Sequence, residues 1–92
     1  MRLPATFTIR AGGMLEPPTV SAPGSLTIAL TVVSGDGHAH RVVVRTPRPY
    51  YLSVAAGGRA SVLIPALRAG QYVIDVDGAA HGALIVGVLP GP

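Results

Sequence analysis

Three imidazoles are the residues of this chain best equipped for chemistry: His38, His40 and His81. His38 and His40 stand two apart in Gly37-His38-Ala39-His40-Arg41, just ahead of the apolar run Val42-Val43-Val44. His81 follows Asp77-Gly78 and precedes the apolar run Ala83 to Leu89. Neutral imidazole is a common ligand of Cu(II) and Zn(II). His40 and His81, completed by Asp36, Asp77 or a water, would form a nitrogen-rich metal site, with His38 as the third candidate ligand. A single metal would take both His38 and His40 only where the chain at the strand entry is still loop-like. The competing reading is structural: His40 half-buried, its ring bonded to a neighbouring loop, and His38 exposed. The chain has no cysteine. That excludes disulfides, a thiol nucleophile, an iron–sulfur cluster and any cysteine-ligated zinc or copper.

Other chemistry is thinly supplied. Ser34, Ser53 and Ser61 form no nucleophile elbow, and no Ser–His–Asp spacing is present. Glu16 beside Pro17-Pro18 reads as a surface residue. Asp75 and Asp77 read as carboxylates on an outer strand face, able to meet a cation but needing none. Gly12-Gly13 lacks the helix and Lys-Ser/Thr of a phosphate loop. No enzyme activity is expected.

Ninety-two residues make a single domain, 1–92, with a modest core. Hydrophobic residues make up 49% and charged residues only 12%, about half the usual share, which argues against disorder. A surface so poor in charge is covered either by Thr, Ser, Gly and Pro or by an apolar face that packs on a partner. The net charge of +3 rests on arginine alone, scattered but for a loose group at Arg41, Arg45 and Arg48. With so few aromatic rings, no stacking platform for nucleic acid is expected. A partner contact near Arg48 and Tyr50 is. Met1 to Pro4 lacks the apolar core of a signal peptide, and no apolar stretch is long enough to cross a bilayer.

The elements that must hold these residues are strands. Gly and Pro recur every eight to twelve residues, the rhythm of an all-β sandwich. Strands are expected at Ala5–Arg10, Pro18–Ser21, Ser25–Val33, His40–Thr46, Tyr50–Val54, Arg59–Ile64, Gly70–Val76 and Ala83–Leu89. Leu26, Ile28, Leu30 and Val32 share one face; Tyr72, Ile74 and Val76 share another; Leu84, Val86 and Val88 complete an inner layer. Ala22-Pro23-Gly24 has the chemistry of a type II turn, Pro65 to Gly70 that of a compact connection with one short helical turn, and Asp77-Gly78 that of a hairpin.

Three stretches resemble the cupredoxins, the Greek-key β-sandwich family of plastocyanin and azurin. The first runs from Pro23-Gly24-Ser25-Leu26 to Val33 and on through Gly35-Asp36-Gly37-His38-Ala39-His40 into Val42-Val43-Val44. The second is Val54-Ala55-Ala56-Gly57-Gly58-Arg59-Ala60, continuing through Leu67, Gly70 and Tyr72. The third, Tyr72 to Leu84, resembles the family's terminal ligand loop. The resemblance spans Phe7 to Val88 and implies seven or eight strands. It places His40 on the first copper histidine and His81 on the second. It also places Val76 where the cysteine belongs, and Leu84 or Ile85 near the methionine. It implies a non-blue module that binds Cu(II) or Zn(II) through His40 and His81, or else a metal-free structural or protein-interaction domain. Electron transfer is a weaker third reading. The resemblance further implies an extracytoplasmic setting, secreted or membrane-tethered.

Overall fold

The computed structural model describes residues 2–22, 24, 26–65 and 67–87. Nine strands are present among them: β1 (Arg2–Ile9), β2 (Leu15–Glu16), β3 (Thr19–Ala22), β4 (Thr27–Ser34), β5 (His40–Val44), β6 (Tyr50–Val54), β7 (Arg59–Ile64), β8 (Gly70–Val76) and β9 (Ala79–Val86). They form two sheets, ordered β2-β1-β4-β7 and β3-β9-β8-β5-β6. The architecture is the expected all-β sandwich.

Period-two patterning builds the core. Every second residue of β4 is buried, so Ile28, Leu30 and Val32 face inward. They meet Val42 and Val44 of β5, Ile74 and Val76 of β8, and Leu84 and Val86 of β9, with Phe7 and Ile9 of β1 closing the layer. Burial of a branched or aromatic side chain is worth about 1.5–3 kcal/mol each, so these residues supply the main force that clamps the sheets together.

β6, β7 and β8 match the expected bounds. The other six differ: β3 and β4 are displaced by one or two residues, to Thr19–Ala22 and Thr27–Ser34, and the remaining four differ for local reasons. β1 starts at Arg2 and not Ala5, because it runs parallel to β4 from Arg2↔Thr27 onward. Pro4 is tolerated inside β1 because β2 pairs only with Thr8 and Ile9, leaving the other side of Pro4 without a ladder partner among the described residues. β5 ends at Val44, ahead of Thr46. β9 begins at Ala79 and not Ala83, since the hairpin turn leads straight into pairing. β2 was not expected; two residues are too few to show a period. Asp75 was expected in solvent and is instead buried, because the Arg45 side chain lies over it with Nε 2.7 Å from Oδ2. The expected turn at Pro23, the helical turn across Ala66 and the strand end at Val88 and Leu89 fall on residues outside the described set.

Candidate functional site

His40 opens β5 on its inward face, in line with Val42 and Val44, and is buried. Two other segments converge on its ring. The loop from Gly35 to Ala39 brings Asp36, whose two carboxylate oxygens each lie 2.9 Å from His40 Nε2. The turn after β8 brings Asp77, whose Oδ2 lies 2.6 Å from His40 Nδ1. An ionised carboxylate only accepts hydrogen bonds, so both ring nitrogens must carry protons and donate. His40 is therefore an imidazolium held between two carboxylates.

The local chain is built for this. Ser34 donates its hydroxyl to the His38 carbonyl at 2.6 Å, and the His38 amide donates to Asp36 Oδ1 at 3.0 Å. These short-range bonds fold the loop into an Asx-type turn and aim Asp36 at the ring. On the other side, Asp77 Oδ1 accepts the Arg41 amide at 2.9 Å while the Asp77 amide donates to the Arg41 carbonyl at 2.8 Å. Asp77 thus extends the β8–β5 pairing by one residue and presents its second oxygen to His40.

The electrostatics agree with the geometry. The His40 pKa is raised above its ordinary 6.5, first by the hydrogen bond to Asp77 and then by that to Asp36, and these outweigh burial. The Asp36 carboxyl is lowered to about 2, chiefly by His40 and then by the His38 amide. The Asp77 carboxyl is lowered too, chiefly by the Arg41 amide and then by His40. Each partner favours the charged form of the other.

Asp77 and Gly78 form a two-residue turn between the paired residues Val76 and Ala79. Both have positive φ, 52° and 87°, the signature of a type I′ hairpin turn. The segment that would correspond to a ligand loop is closed to its minimum length. His81 consequently lies within β9, not in the turn before it. Ile74 pairs with Gly82 and Asp75 with Ala80, so His81 is the extra residue of a β-bulge. Its ring packs on Gly13: a Cβ there would come within 3.1 Å of His81 Nε2. Gly82 beside it must also be bare, because a Cβ would stand 2.6 Å from Leu15 Cδ1 and 2.9 Å from the Pro18 carbonyl.

His40 and His81 lie at the same end of the sandwich. Gly13 belongs to the turn after β1, and Ile9 at the end of β1 pairs with Ser34, from which the Asp36 loop departs. Their rings, however, turn to different partners. His38 is exposed on the loop and contributes backbone atoms to it. Among the described residues no three His, Cys, Asp or Glu side chains are grouped to hold a metal ion. Val76, at the position where the family resemblance calls for a thiolate, is buried opposite Val42. The residues present do not fit a thiolate-ligated copper centre.

Sequence reasoning set Asp36 and Asp77 beside the histidines as additional metal donors, whereas the fold places them on the His40 ring itself. The four-residue spacing of Asp36 and His40 was the available signal for one half of this; the other half spans β5 to β8 and carries none. No family model matches the chain, and no curated protein matches it. Solved structures do. A copper binding protein determined in its apo form superposes with TM-score 0.73 at 16% identity, over 92% of this chain and 87% of that one. Auracyanin B gives 0.74 at 15% identity, over 96% and 89%. Auracyanin A, a blue copper protein from Chloroflexus aurantiacus, gives 0.73 at 8% identity, over 94% and 99%. At such identities the likeness speaks for the fold: the chain is a cupredoxin-like β-sandwich without the cysteine of a blue-copper site.

Proposed function

We propose that this chain is a metal-free cupredoxin-fold module whose work is binding rather than electron transfer or catalysis. The observation that supports this most is the pairing of both His40 ring nitrogens with carboxylates. A metal ligand must offer an unprotonated nitrogen. Coordination at either nitrogen of His40 would require loss of a proton and rupture of a short ionic hydrogen bond. The Asp36–His40–Asp77 triad ties the loop after β4 and the turn after β8 to β5, and so does mechanically what a metal does when it bridges loops. An extracytoplasmic setting belongs to the proposal and rests on the fold alone.

Calorimetric titration with Cu(II) and Zn(II) at pH 6 tests it. The expected result is no micromolar 1:1 binding that depends on the histidines. Binding in that range, abolished by His81→Ala and by His40→Gln, would replace this reading with that of a non-blue metal site using His40 and His81, with or without His38.

A further inference from the structure

Resting on the reading of the chain as a binding module, we propose that the outer face of β5 and β6 is a docking surface for an extended acidic segment of a partner protein, added as a strand along the free edge of β6.

The charge pattern points to the partner's sign. The chain has only four carboxylate side chains, and all four are engaged internally: Glu16 with Arg10, Asp36 and Asp77 with His40, and Asp75 with Arg45. Among the described residues the other five arginines, Arg2, Arg41, Arg48, Arg59 and Arg68, have no carboxylate partner. Among the described residues the surface therefore offers unpaired guanidinium groups and no carboxylate side chain left without a partner. Arg41 on β5 and Arg45 just past its end alternate outward about Val43, roughly 13 Å apart along the strand direction, and Arg48 follows in the loop before β6. The other three are spread over both ends of the four-stranded sheet and the β7–β8 connection.

Tyr51 supplies the anchor. It pairs with Val43, which lies between Arg41 and Arg45 along the chain, and is 77% exposed, the most exposed large apolar side chain among the described residues. Tyrosine and arginine are the residues most enriched where binding energy concentrates. A trough of about 570 Å³ runs beside it, lined by Arg41, Val43, Tyr51, Ser53 and the Asp77–Gly78 turn. The sequence-based expectation of a contact near Arg48 and Tyr50 shifts by one residue: Tyr50 is half-buried and packs on the core, and Tyr51 is the ring on offer.

The backbone selects the partner's class. Among the described residues β6 is the last strand of its sheet and pairs only with β5. Tyr50–Val54 contains no proline, charge or bulge to blunt that edge. An added polypeptide strand satisfies exposed ladder groups, whereas a lipid surface or a nucleic-acid backbone does not. Carboxylates on such a strand would lie within reach of Arg41 and Arg48, and its apolar residues would lie beside Tyr51.

The test uses the whole chain and a fluorescent peptide of alternating glutamate and valine, eight residues long. Anisotropy at low salt should show saturable binding that weakens with added salt. Tyr51→Ser and the double variant Arg41→Ser/Arg48→Ser should each weaken it about tenfold. Arg2→Ser/Arg59→Ser, which removes the same charge from the other sheet, should change it less than twofold. Arg45 is left intact because it covers Asp75. Absence of binding, equal loss in the two double variants, or tighter binding to phosphatidylserine vesicles than to the peptide would each overturn the proposal. None of these outcomes bears on the copper and zinc titration, so the two readings fail separately.

Discussion

His40 Nδ1 donates to Asp77 Oδ2 at 2.6 Å across 37 residues of chain, joining the first residue of β5 to the turn that follows β8. The same ring reaches Asp36, four residues back, with its other nitrogen. One buried cation therefore fixes two loops at one end of the sandwich. Its strength depends on three protonation states, and this makes it measurable.

Stability should peak in a defined pH window. The His40 pKa is raised, so its ionic contribution is complete below 6.5 and is lost as pH climbs through the raised value. The carboxyls of Asp36 and Asp77 are lowered, so theirs is complete above 3.8 and is lost as pH falls, for Asp36 through about 2. The melting temperature should therefore be highest between roughly pH 4 and 6.5, and the His40→Gln variant should show a flatter profile.

Removing either carboxylate should act through the imidazole. Asp36→Asn and Asp77→Asn should each lower the His40 pKa and reduce the melting temperature most near pH 5–6. The difference from the parent chain should shrink above the His40 pKa, where the parent has already lost the ionic bond. Melting curves at about pH 5.5 and at a pH above the His40 titration, located by NMR, compare the two regimes.

Gly82→Ala should destabilise without touching the triad. The new methyl would meet Leu15 Cδ1 at 2.6 Å and the Pro18 carbonyl at 2.9 Å, where the backbone of β9 approaches the β2–β3 connection. Overpacking of this kind costs about 1–3 kcal/mol. Urea unfolding should show that loss. Gly37→Ala meets no atom within 4 Å but sits at a φ of 79°, so its cost should come from backbone strain alone, about 1–2 kcal/mol.

Val76→Cys should not create a blue copper protein. Val76 is buried opposite Val42, and His40, two residues from Val42 on the same inward face, gives both nitrogens to carboxylates. Adding Cu(II) to the variant should produce no intense visible charge-transfer band. A blue colour would mean that His40 yields to the metal.

The sandwich was legible because its burial has period two. Ile28, Leu30 and Val32 mark β4, and Asp77-Gly78 marks the hairpin, both from adjacent residues. The start of β9 was not, since Ala79-Ala80-His81-Gly82 has no β-branched residue and no alternation, and its pairing is imposed by the turn. At the site, His40, Asp36 and Asp77 were all picked out as chemically active types. Which atom meets which depends on packing between β5 and β8, and no local pattern encodes that. Asp75 was misplaced for the same reason: its burial comes with Arg45, just past the end of the neighbouring strand.

The protonation of His40 tests the account most directly. A ¹⁵N NMR titration of the imidazole, repeated with one equivalent of Zn(II), reads both ring nitrogens separately. The ring should titrate with its midpoint above 6.5, both nitrogens protonated below that midpoint, and should keep its shifts when zinc is added. A ring that titrates at or below 6.5, or a nitrogen whose resonance moves to a metal-bound position with zinc, would contradict it.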